Sequence, residues 1–154
     1  MPMEKIIIQS DINNLVEVEQ FIDDVCGNYN INNYAATISM SLLQAVKNAI
    51  VHGNHSDASK QVTIVFDHCK GGVSFTVADE GNGFDYANYG SIPAEEGKGM
   101  GLYLMNALSD KISFQNNGSV VRMEYVIDGI AASSALERIM TLKNYYALKT
   151  AVNA

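Results

Sequence analysis

Two alternating apolar runs constrain this chain more than any other feature. Val62, Ile64 and Phe66 alternate with other residues, as do Val73, Phe75 and Val77, and Lys70-Gly71-Gly72 stands between the runs. A period of two sends one set of side chains to one face of a strand. A glycine-rich break between two such runs predicts a β-hairpin. An isolated hairpin is marginal in water, so its apolar face needs a covering layer.

The flanking segments supply that layer. Residues 4–9 read as a short β-branched strand, and Asp11 can cap a helix over about 12–28 with Leu15, Val18, Ile22 and Val25 on one face. A second helix is predicted over about 34–52. Ala35, Ile38, Leu42, Ala45 and Ala49 repeat at steps of three and four, and Gly53-Asn54 suits its C-terminal end. A long loop of glycines and polar residues follows from Glu80 to Gly99, then a helix from Met100 to about Asp110. Ile112 and Phe114 mark a strand, Asn116-Asn117-Gly118 a turn, and Val121, Met123, Tyr125 and Ile127 the last strand. Tight turns between neighbouring strands predict an α/β two-layer sandwich, with a mixed, mainly antiparallel sheet and helices on one face. Residues 1–130 are expected to form this domain. Ser134 and Glu137 make a capping-box pattern for a helical extension within 131–154, which packs back on the domain or serves as an interface, including one between two copies of the chain.

With 154 residues the chain suits one domain with a sizeable core. Its net charge of -7, with no basic stretch to offset it, argues against nucleic acid or an acidic membrane as partner. Cys26 and Cys69 belong to no CxxC pair and read as reduced, buried thiols. The apolar run Ile6-Ile7-Ile8 is too short for a signal segment or a membrane span, so the expected location is cytoplasmic.

Three segments carry chemistry. In the first, Gln44, Asn48 and His52 stand four apart and are expected to share one helical ridge ending at Gly53. An Asn amide oxygen is a hard, neutral ligand suited to Mg²⁺. A polar helix face in water is the plainer reading of the same letters. In the second segment, Asp79 continues the phase of Val73, Phe75 and Val77, placing an acid at the end of an apolar row, and Gly81 and Gly83 follow. A buried carboxylate needs a donor. Alternatively the strand has ended and Asp79 is a turn residue. In the third, Gly97, Gly99 and Gly101 alternate with Lys98 and Met100 before Leu102. Such a backbone can approach phosphate closely, and free N–H groups at a helix start favour an anion. A hinge loop is the alternative. The preceding Pro93-Ala94-Glu95-Glu96 is no strand, which excludes a dinucleotide-binding βαβ unit, and Gly99 after Lys98 excludes a Walker loop.

In order and spacing the three segments resemble the N, G1 and G2 boxes of the ATPase superfamily that includes gyrase, histidine kinases and mismatch-repair proteins. Within it the likeness is to the small bacterial anti-sigma factor serine kinases. It rests on Asn48-Ala49 with His52-Gly53, on Asp79-Glu80-Gly81 with Gly83-Phe84-Asp85, on Gly97, Gly99 and Gly101-Leu102, and on Gly118-Ser119 as the late Gly-Thr element. The resemblance implies a histidine-kinase-like ATPase fold that binds ATP and Mg²⁺. Asp79 would accept from the adenine amino group, Ser119 would lie near the adenine, His52, Gly53, Gly81, Gly83 and Phe84 would also bind ATP, and Asn48 would hold Mg²⁺. Lys98, Gly99, Met100, Gly101 and Leu102 would wrap the phosphates, and the Glu80-to-Gly99 loop, with Tyr86 and Tyr89, would be a lid.

The resemblance also implies protein partners, a sigma factor or its antagonist, and a Glu base where this chain has Gln44. Neutral Gln cannot take up a proton at pH 7. Two readings follow: a serine/threonine kinase acting on an antagonist protein, or a partner switch that holds ATP without turning it over.

Overall fold

The computed structural model describes residues 3–83 and 100–127; Phe84, the Tyr86–Tyr89 stretch, Lys98, Gly99 and the 131–154 extension lie outside them, as does the Met100 side chain. The described chain runs β1 (Glu4–Gln9), α1 (Leu15–Asn28), α2 (Ala35–Asn48), β2 (Gln61–Cys69), β3 (Gly72–Ala78), α3 (Met100–Leu108), β4 (Lys111–Gln115) and β5 (Val120–Val126). Its five strands form one sheet in the order β1-β2-β3-β5-β4, and every pairing is antiparallel.

The hairpin between β2 and β3 is tighter than the letters suggest. Gly72 pairs with Cys69, so only Lys70 and Gly71 turn the chain. Register then lines up apolar residues across the sheet. Ile64 faces Val77, Val77 faces Val121, and Val121 faces Phe114; the next row is Phe66, Phe75, Met123 and Ile112. All these residues share one phase, and the helices cover that face. Phe66 and Phe75 are fully buried, as are Val18, Ile22, Ile38, Leu42 and Val46 from α1 and α2. Burying such a side chain contributes roughly 1.5–3 kcal/mol.

The opposite phase is mostly polar, with Lys5, Thr63, Asp67, Thr76, Arg122 and Glu124. Glu124 meets Arg122 at 3.4 Å and Lys111 at 3.7 Å. Both pairs share the partly buried Glu124 and lie on the open face of the sheet, where such pairs stabilise little.

Helix α2 is central. It packs on α1, on α3, and on β3 and β5. Inside the core the Ser41 hydroxyl donates to Thr37 O at 2.8 Å and bonds the Tyr125 hydroxyl of β5. Burial pushes the Tyr125 phenol up to about 12. The helix runs on past Asn48 but is no longer α-helical. Over Ala49–Gly53 it widens to a π turn, closed by the Asn54 N–H to Ala49 O at 2.8 Å.

Candidate functional site

The sequence ridge of Gln44, Asn48 and His52 runs from α2 into that π turn. An α-helix returns to the same face after four residues, whereas a π turn needs an extra part-residue. Gln44 and Asn48 remain half-buried; His52 is exposed. What the widened turn delivers is Gly53. A methyl group there would lie 2.3 Å from Asp79 Oδ2 and 2.4 Å from its Cγ. Only a glycine lets the end of α2 touch the carboxylate.

Asp79 stands one residue beyond β3, yet its N–H still donates to Ser119 O at 2.9 Å, prolonging the ladder with β5. Both sequence alternatives are therefore partly realised: the strand has ended, and the acid keeps its inward phase beside α2. Oδ1 accepts the Gly81 N–H at 2.7 Å. Among the described residues no donor reaches Oδ2. Burial raises the Asp79 pKa, and the Gly81 N–H pulls it back in part.

The surrounding turn is close-fitted. A Cβ on Gly81 would sit 2.2 Å from Gly53 O. Gly83 has φ +87°, and a Cβ there would sit 2.1 Å from Asn117 O. Ser119 is buried and its hydroxyl donates to Asn116 O at 3.0 Å. The Asp79–Gly83 loop, the Asn116–Ser119 turn and Gly53 thus meet at one end of the sheet.

The other end of the site lies between α2 and α3. A Cβ on Gly101 would sit 3.1 Å from Gln44 Oε1 and 3.4–3.5 Å from the two ends of the Asn48 amide. The Asn48 amide donates to Met105 Sδ at 3.8 Å. Leu102 and Met105 turn into the core, so what Leu102 can offer a ligand is its backbone. Met100 begins α3. Helix α2 therefore carries Gln44 and Asn48 to the start of α3 and Gly53 to Asp79.

One group escaped the sequence reading. Asn54 looks like a helix-ending residue, but it is wholly buried. Its Nδ2 donates to Ser10 Oγ at 2.8 Å and to Gln61 O at 3.0 Å, and its Oδ1 accepts the Glu80 N–H at 2.8 Å. No spacing rule exposes this role, because it depends on the π turn.

A family model for the histidine kinase-like ATPase domain matches residues 8–125, which include Gln44, Asn48, Gly53, Asp79, Gly101 and Ser119. The chain belongs to the histidine kinase-like ATPase domain family. Among curated relatives of this ATPase domain, an anti-sigma F factor of Clostridium perfringens (strain SM101 / Type A) is 34% identical over 96 residues, covering 56% of this chain and 69% of that protein. The serine-protein kinase RsbW of Bacillus subtilis (strain 168) is 29% identical over 119 residues, covering 70% of this chain and 72% of the relative. A histidine kinase domain from the Erythrobacter litoralis EL346 blue-light activated histidine kinase superposes with a TM-score of 0.52 at 14% identity. It covers 79% of this chain, which spans 63% of that structure, and it supports the fold. Among the described residues no helix is long and apolar enough to cross a membrane.

Proposed function

We propose that this ATPase-domain protein is an ATP-holding regulator that acts by binding a protein partner and transfers phosphate poorly. The observation that carries this reading is the double contact of α2, with Asp79 at Gly53 and with Gly101 at Gln44 and Asn48. The residues fit the nucleotide. Asp79 Oδ2 is a half-buried acceptor without a protein donor among the described residues, which suits an exocyclic amine. Asn48 offers a neutral oxygen of the kind that holds Mg²⁺ beside phosphates. Gly101, near the start of α3, presents backbone where an anion is favoured. ATP bound there would supply the phosphoryl group; Gln44 would orient a nucleophile by hydrogen bonding without removing its proton.

Partner binding is supported by the relatives named anti-sigma F factor, and makes a sigma factor or its antagonist the expected class of partner. A kinase reading is favoured by the relative named a serine-protein kinase. The residue at position 44 separates them. A positioned base contributes about 10²–10⁴ in rate, although phosphoryl transfer depends mostly on positioning and charge stabilisation. Release of labelled phosphate from ATP, measured for the natural chain and for Gln44→Glu, is expected to rise at least about 10²-fold in the variant. A natural chain that turns over ATP as fast as the variant contradicts the proposal and favours the kinase.

A further inference from the structure

We infer that Asn54 is a positioning residue for base recognition, acting through the turn that aims Asp79. The inference rests on the ATP reading above and deepens it. Asn54, Glu80 and Gln61 form a closed ring. Asn54 Oδ1 accepts the Glu80 N–H at 2.8 Å, the Glu80 carboxylate accepts the Gln61 N–H, and Asn54 Nδ2 donates to Gln61 O at 3.0 Å. Both backbone groups of Gln61 are thus held, one by each partner. Gln61 opens β2 and pairs with Gln9, the last residue of β1. The second Asn54 proton goes to Ser10 Oγ, which itself donates to Lys60 O at 2.7 Å.

The ring grips the peptide immediately after Asp79. The N–H of Asp79 is fixed on Ser119 O and the N–H of Glu80 on Asn54. Two consecutive donors are spoken for by two different elements, which sets the plane of the Asp79–Glu80 peptide. The Gly81 N–H then takes one carboxylate oxygen, leaving Oδ2 beside Gly53. Asn suits this place because its amide is both donor and acceptor on one rigid plane, and a wholly buried amide must satisfy both ends. Asp offers no donor, and Ala offers neither.

The test compares ATP with inosine triphosphate, which carries a carbonyl in place of the adenine amine. The natural protein is expected to prefer ATP by about 10- to 100-fold, the worth of one hydrogen bond to a charged acceptor. Asn54→Ala is expected to lower that ratio at least about fivefold, leaving inosine triphosphate affinity within about twofold, since only the acceptor is misaligned. Because Asn54 is buried, the exposed Glu80→Ala, which opens the ring from outside, provides the second variant with the same expectation and decides alone if Asn54→Ala does not fold. Equal losses for both nucleotides, or an unchanged ratio, overturn the inference and leave the ATP reading standing. Failure of the natural protein to bind ATP overturns both.

Discussion

Asp79 is asked to stay charged in a place that disfavours charge. Burial raises its pKa above the ordinary carboxylate value, with the Gly81 N–H offsetting part of the shift. The folded chain therefore holds that proton more tightly than the unfolded chain. Its contribution to stability is full below the unfolded pKa and is lost as pH rises through the folded pKa. Asp79→Asn is expected to raise the nucleotide-free melting temperature at pH 7, and the gain should vanish as pH falls below about 4. A variant less stable than the natural chain at neutral pH would show that the carboxylate is already well paired. The thiols offer a separate check on the core. Burial, aided by the Asp23 charge, pushes Cys26 up to about 11, and the side chain is fully buried. Cys69, only partly buried, is raised by burial and by Glu124. Alkylation of the native protein should label Cys69 first, since labelling needs an accessible thiolate. Early labelling at Cys26 would contradict this packing.

Helix α2 shows what its letters reveal and where they stop. The stripe of Ile38, Leu42, Ala45 and Ala49 is legible because a regular helix maps spacing onto direction, and all four are buried. That rule fails in the last turn, where one N–H reaches back five residues instead of four. That turn leaves His52 exposed and puts Gly53 against Asp79. No local sequence preference encodes it; it reflects the fit of Asn54 and Gly53 to a loop that follows another strand. Two alanine variants test the element. Gly53→Ala must displace the Asp79 carboxylate and is expected to weaken ATP binding at least about tenfold, as loss of a charged hydrogen bond would. Binding unchanged in Gly53→Ala would remove Asp79 from the site. At Gly101 the nearest atom is the far end of Gln44, which can yield. Gly101→Ala is expected to leave the free protein as stable or up to about 1 kcal/mol more so, from helix propensity, while weakening ATP binding. A large loss of stability there would mean that α3 sits closer to α2 than its packing indicates.

For the molecule as a whole, the hairpin and the helical layer could be read from periodicity, since each is a local pattern. The pairing of β3 with β5 could not, because it joins segments separated by a long stretch of chain that includes α3. That pairing sets Asp79 on Ser119 and so closes the site. The order β1-β2-β3-β5-β4 also places the site at one end of the central strands, where α2 and the Asn116–Ser119 turn meet. The central claim is that this site holds ATP through Asp79. The direct measurement is the melting temperature with and without Mg²⁺ and millimolar ATP, for the natural chain and for Asp79→Asn. At about 100 times Kd, ligand binding adds about 2.7 kcal/mol, or several degrees for a domain of this size. The natural chain should show that rise and Asp79→Asn should lose most of it; no rise in the natural chain, or an equal rise in both, would contradict the account.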